Sequence, residues 1–266
     1  MSQSKKTANT LLLVLWTLLY SSGAQAHFQL LYTPEVNLSK AATLPIRLIF
    51  AHPLENGHVM SMARPQAFYY WHKDKREELL PALTEITWQG PSNGNTAFAA
   101  EVPIKRNGDY IFVVEPTPYF EPSEELYIQQ LTKSFVNKGG LPSGWEQPLG
   151  LKAEIVPLNK PTAILVGSTF SGVVLSEGQP VVGAEIEIEW INGQPDLQAN
   201  RFGASRVTPP ASVLVAISDA NGVFTFGIPR AGWWGFAALG VGPDKRYQGK
   251  ALSQDAVLWI SATELR

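Results

Sequence analysis

No cysteine occurs in the 266 residues. That absence excludes disulfide staples, so a folded chain of this length must be held by core packing. It also excludes thiolate zinc sites, iron–sulfur clusters, blue-copper centres and a cysteine nucleophile, and leaves any metal to imidazole, carboxylate, thioether or amine donors. Charge is sparse: 17% of residues are charged, with 21 Lys and Arg against 23 Asp and Glu. Such a balance supplies no basic field for nucleic acid. The one G-x-S-x-G match, Gly90-Pro91-Ser92-Asn93-Gly94, is a turn cluster between two expected strands rather than a strand-to-helix elbow, so it does not point to a serine hydrolase. After Tyr20 no apolar run approaches the roughly 18 residues of a membrane helix.

What is present is apolar and rich in turn formers. Hydrophobic residues make up 45% of the chain, and Gly (22) and Pro (20) are frequent enough to predict many short strands joined by turns. The N-terminus has the order of a cleavable secretory signal over residues 1–26. Lys5 and Lys6 precede the apolar run Leu11 to Tyr20, and the small-residue site Ala24-Gln25-Ala26 follows. Cleavage there makes His27 the first residue of an exported chain without a membrane span.

Apolar or alternating runs predict strands at Phe28 to Tyr32, Leu44 to Phe50, Ala67 to Trp71, Glu85 to Trp88, Ala97 to Val102 and Tyr110 to Val114. Pro122 to Val136 reads equally as a helix start or an alternating strand. The Pro-punctuated stretch Val156 to Pro161 is the expected linker. Beyond it, strands are predicted at Ala163 to Leu175, Ala184 to Ile191, Ser212 to Ser218, Val223 to Ile228, Trp234 to Leu239 and Val257 to Ala262. The expected fold is therefore all-β, with two β-sandwich domains over 27–158 and 162–266, the second immunoglobulin-like or transthyretin-like. In the run Glu185-Ile186-Glu187-Ile188-Glu189 the glutamates are expected on a solvated strand face. The aromatic run Trp233-Trp234-Gly235-Phe236 is expected in a core or interface rather than on a sugar-binding surface.

Only four histidines are present, and their placement is informative. A terminal His27 offers both an α-amine and an imidazole to one metal ion. The stretch His52-Pro53-Leu54-Glu55-Asn56-Gly57-His58-Val59-Met60-Ser61-Met62 adds two imidazoles, one carboxylate and two thioethers within eleven residues. A tight two-residue turn at Asn56-Gly57 would put His52 and His58 on opposite faces, whereas a looser loop allowed by Pro53 lets them converge. His72 sits at a strand end before a charged turn and is expected at the surface. The segment Glu115 to Pro122 brings two carboxylates near aromatic rings, where they can accept a hydrogen bond from a ligand imidazole. His27, His52, His58, Met60 and Glu115 are thus the candidate metal-site residues.

A set of motifs together resembles the NikK/NikM-type periplasmic nickel-uptake proteins. They are His27-Phe28 after the signal, Phe50-Ala51-His52-Pro53-Leu54-Glu55, Met60-Ser61-Met62-Ala63-Arg64-Pro65, and Glu115-Pro116-Thr117-Pro118-Tyr119-Phe120-Glu121-Pro122. Two further matches are Gly150 to Leu158 and Pro229-Arg230-Ala231-Gly232-Trp233-Trp234-Gly235-Phe236. The resemblance implies a non-enzymatic periplasmic protein that carries Ni(II) or Co(II) as cargo between an outer-membrane receptor and a nickel or cobalt transporter component, with His27 and His52 as metal ligands. His58 stands where the family resemblance would put a smaller residue. Two other classes fit the same residues. One is a copper protein with an N-terminal histidine brace, either a carrier or an oxidative polysaccharide-cleaving enzyme. The other is a carbohydrate-binding or adhesion sandwich with no metal.

Overall fold

The computed structural model describes residues 27–265, and the expected signal peptide lies outside them. The described chain is all-β, with a single turn of 3-10 helix at Leu80–Ala82. No described helix is long and apolar enough to cross a membrane.

Three sheets stack in layers. A seven-stranded sheet runs in the order Phe28–Tyr32, Ala42–Ala51, Gly94–Ile104, Thr84–Gln89, Arg201–Ser205 and Gly193–Asp196, with the short Val59–Met60 strand added to Ala42–Ala51. A twelve-stranded sheet forms the middle layer. Its main path is Leu214–Ile217, Glu185–Trp190, Gly232–Ala238, Lys250–Thr263, Leu126–Lys138, Gly108–Glu115, Ala67–His72 and Lys75–Glu78. A four-stranded sheet of Ala153–Pro157, Thr169–Ser176, Gln179–Pro180 and Val223–Gly227 covers its other face.

Alternation along each strand explains the layering, because successive side chains of the middle sheet point to opposite faces. Toward the seven-stranded sheet, Phe68, Phe112 and Val114 pack with Leu44, Ile46 and Phe98, and Trp259 and Trp233 pack with Phe28 and Tyr32. Toward the four-stranded sheet, Ile186, Phe236 and Leu258 pack with Phe170, Val174 and Phe224. The C-terminal sandwich has three long or medium strands facing four, which is the layout of an immunoglobulin-like sandwich.

The two expected segments exchange strands. Leu126–Lys138 pairs in parallel with Lys250–Thr263, from Tyr127↔Leu252 to Lys133↔Leu258. Arg201–Ser205 meets Gln89 at the edge of the seven-stranded sheet, and Ala153–Pro157 joins Thr169–Ser176 in the four-stranded one. Val156 and Pro157, read as linker, are therefore strand.

The ambiguous segment resolves as the strand Leu126–Lys138, buried from Ile128 to Asn137 although half of it is polar. Most of its polar side chains have a built partner, the exceptions being Ser134 Oγ and Asn137 Oδ1. Lys133 Nζ bonds Glu154 Oε1 at 2.8 Å, and that carboxylate also accepts the backbone N–H groups of Leu149, Gly150 and Leu151. Two expectations are corrected. Glu187 and Glu189 are buried, since the middle sheet is covered on both faces, so alternation there separates two interiors rather than core from solvent. His72 is buried as well, stacked on Tyr110 at 4.2 Å with Nδ1 at 3.0 Å from the Asp109 carbonyl.

A histidine row at the edge of the first sandwich

The chain leaves the Ala42–Ala51 strand at His52 and returns at Val59, where Ala51 faces Val59 in register. The connection is the looser of the two turns considered above. Asn56 N–H donates to the Pro53 carbonyl at 3.3 Å, Gly57 N–H donates to the His52 carbonyl at 2.9 Å, and Asn56 takes a left-handed φ of 51°. Gly57 lets the two legs approach closely: a Cβ there would stand 3.0 Å from the Cβ of His52, which would have to shift by a few tenths of an ångström. The returning leg is held by Asn93, whose side chain pairs with both the N–H and the carbonyl of Val59 at 2.8 Å.

This loop lines up three imidazoles. The ring centroids of His27 and His52 are 4.6 Å apart, and those of His52 and His58 are 4.6 Å apart. His52 is buried in the middle of the row and His58 is exposed at its outer end. Among the described residues no group of three His, Cys, Asp or Glu side chains already stands arranged to hold an ion.

His27 is fixed at both ends. Its carbonyl accepts Gln130 Nε2 at 2.7 Å, while Gln130 Oε1 accepts the N–H of Gln29 at 2.7 Å, so one amide clamps the start of the first strand. Its ring lies against Phe50 at 5.7 Å and Tyr119 at 6.3 Å, and its Nε2 is 2.9 Å from Glu121 Oε2. Burial lowers the His27 pKa, and the nearby Glu121 carboxylate only partly opposes it, so the ring is neutral at neutral pH. A neutral ring facing a carboxylate carries its proton on Nε2, which leaves the Nδ1 lone pair for a ligand. Burial alone would raise the Glu121 carboxyl. Two hydrogen bonds from Ser123 and the His27 contact outweigh it and hold the group ionised, below the usual carboxylate range.

Met60 and Glu115 are not brought to this row. Met60 is core, opposite Phe50 in the second apolar cluster. Glu115 accepts the Tyr69 hydroxyl at 3.2 Å and faces a separate polar cavity beside Arg76 and Lys152. The carboxylate at the imidazoles is Glu121, at the far end of the same Pro-rich segment.

The C-terminal half shapes the loop. Leu54 N–H donates to Glu189, Asn192 N–H donates to the Pro53 carbonyl at 3.0 Å, and Asn192 Nδ2 donates to the Leu54 carbonyl at 2.9 Å. Asn56 Nδ2 in turn donates to the Gly203 carbonyl at 3.0 Å and to Ser205 Oγ at 3.1 Å. Burial pushes the Glu189 carboxyl well above the usual range, with the Leu54 N–H acting against that.

The family model described as Domain of unknown function (DUF4198) matches residues 24–242, a span that includes the histidine row and every group that holds it. The chain belongs to this family. No curated protein matches it. Among solved structures, the D0-D1 domain of Intimin is 12% identical, covering 88% of this chain and 99% of its own, with a TM-score of 0.21. The Yersinia pseudotuberculosis adhesin InvE is 11% identical, covering 86% of this chain and 58% of its own, with a TM-score of 0.24. The I-band fragment I67-I69 from titin is 10% identical, covering 90% of this chain and 66% of its own, with a TM-score of 0.21. Superpositions this loose carry no argument about the DUF4198 chain.

Gln130, Glu189 and Asn192 are the positioning residues of this DUF4198 site that sequence reasoning missed. Each is a polar residue inside an apolar or alternating run. The one available signal was that buried polar groups need partners, and burial became visible only with the third layer in place.

Proposed function

We propose that this chain binds a divalent transition-metal ion, Ni(II) or Co(II), through His27, His52 and His58 in the periplasm, and passes it to an uptake transporter without catalysing a reaction. The observation that carries the reading is the row of three imidazoles at 4.6 Å spacing. Two imidazoles bound at right angles to one ion, each nitrogen about 2.1 Å from it, set their centroids about 4.5 Å apart. A nitrogen-rich, thiolate-free donor set suits Ni(II) and Cu(II).

His27 has a further role once the chain begins there. Its α-amine and Nδ1 close a six-membered chelate ring on one ion, and its Nε2–H donates to Glu121. A carboxylate acceptor of this kind fixes the ring's tautomer and raises its basicity as a ligand. The transporter component and the outer-membrane receptor as partners follow from the sequence resemblance stated above.

The test is calorimetric titration of protein beginning at His27 with Ni(II), Co(II) and Cu(II) at neutral pH, beside a variant carrying one extra residue before His27. Tight Ni(II) binding that drops sharply in the extended variant is the expected result. The pairing of His27 with His52 also favours a second reading, a copper brace, because raw affinity runs toward copper. Binding of copper alone would select that reading, and no binding of any ion would leave a sandwich that does not handle metal.

A further inference from the structure

A cavity of about 300 Å³ opens beside the histidine row. Its walls are Phe50, Met62, Tyr119, Phe120, Tyr127 and Tyr247, with Gln130 and Gln248 at its polar edge. Two of these rings, Phe50 and Tyr119, are the ones packed on His27, and they meet each other edge to face at 5.2 Å. The cavity and the imidazoles therefore share a wall. A small, mostly apolar space with a few convergent polar groups is the ordinary form of an organic-ligand site.

A hydrated ion has no use for such a wall. It is polar on every side, and burying its water shell against aromatic rings costs free energy rather than releasing it. An aromatic chelator reverses that balance, because its flat faces gain from leaving water and from stacking on Tyr and Phe rings. The donor count allows the same: three imidazoles and the His27 amine make four donors, so a tetragonal six-coordinate Ni(II) keeps two positions for a bidentate chelator, and the rings packed on His27 are also walls of the cavity.

We infer that the metal reaches this site as a complex with a small planar aromatic chelator, whose rings occupy the Phe50–Tyr119–Tyr127–Tyr247 cavity while His27, His52 and His58 take the ion's free positions. The inference rests on the metal-binding reading above and specifies the cargo. It predicts discrimination between chelators by their apolar surface rather than by their donor atoms or charge.

The test compares three probes on the protein beginning at His27: Ni(II) alone, the 1:1 Ni(II)–2,2′-bipyridine complex and the 1:1 Ni(II)–ethylenediamine complex. The two chelators are neutral, bidentate nitrogen donors that differ in aromatic surface. The wild type is expected to bind the bipyridine complex at least about tenfold tighter than the ethylenediamine complex, the range of a partly buried aromatic contact. Ser61→Trp fills the cavity from its exposed rim and should erase the preference while Ni(II) alone binds as in the wild type. Tyr247→Ala removes part of the wall at a short, partly exposed strand and should reduce the preference several-fold. Equal affinity for the two complexes in a wild type that binds Ni(II) would overturn the inference, as would a preference unchanged in both variants. Failure of the wild type to bind Ni(II) in any of the three forms would overturn the metal-binding reading itself.

Discussion

His52 is the side chain on which the site turns, because it stands between the other two rings and is buried among them. On the metal-binding reading proposed above, His52→Ala removes the central donor and should lower Ni(II) affinity on the order of 100-fold or more. His72 is the matched control. It is stacked on Tyr110 and bonded to Asp109, so His72→Ala should leave Ni(II) affinity unchanged and lower stability by about 1–3 kcal/mol. Both are read from one titration and one denaturant melt per variant. Glu121→Gln keeps the shape of the side chain but loses the charge facing His27, and should weaken Ni(II) binding about 10- to 100-fold. An unchanged affinity would mean that the carboxylate serves only to seat the His27 ring.

The loop from His52 to His58 shows how an element is decided by its surroundings. Its composition, with Pro53, Asn56 and Gly57, specified a turn but left two geometries open, one of which divides the histidines between faces. The wider geometry is selected by groups far away in sequence: Glu189 and Asn192 on one side of Leu54, and Gly203 and Ser205 around Asn56. Gly193 takes part by lacking a side chain, since a Cβ there would stand 2.6 Å from Asn56 Oδ1. Gly57 has the same role toward His52. Gly57→Ala should therefore push the His52 ring out of line and weaken Ni(II) binding several-fold, with little change in melting temperature, because the loop lies at the edge of the sandwich. A large fall in melting temperature with affinity preserved would reverse that assignment.

Across the molecule, the middle sheet ties the two segments together and buries acid groups at their junction. Burial pushes the Glu187 carboxyl up to about 7, with Glu185, Asp255 and Glu124 adding repulsion. Its unfolded value is near 4.5, so between these values the folded chain keeps a proton that the unfolded chain has released. Stability from this group is thus greatest in acid and declines as pH rises from about 4.5 to about 7. Glu187→Gln should melt like the wild type at the acid end and be more stable by about 1–3 kcal/mol at pH 8. Strand exchange has its own consequence. A fragment ending at residue 158 leaves Leu126–Lys138 without its parallel partner and Trp88 without Phe202, so circular dichroism of that fragment should show no cooperative unfolding transition.

Local pattern was enough to place most strands, because alternation and turn residues act over a few positions. The runs at Phe28, Leu44, Tyr110, Ala184 and Val223 are strands close to their expected limits, whereas the run at Val257 is only the second half of the longer strand Lys250–Thr263. The scarcity of histidine drew His27, His52 and His58 into one candidate set, together with Met60 and Glu115, but left open whether His52 and His58 share a face. Alternation alone could not say what lies against each face of a strand. For that reason Glu187 and Glu189 were expected in solvent, and the polar strand from Leu126 was legible only as ambiguous. The tertiary structure decided which faces are covered, and with it the partner of His27, the shape of the histidine loop and the aromatic cavity beside it. Those features are made by side chains up to about three quarters of the chain apart, such as Phe50 and Tyr247, whose proximity follows from sheet stacking and leaves no trace in local sequence.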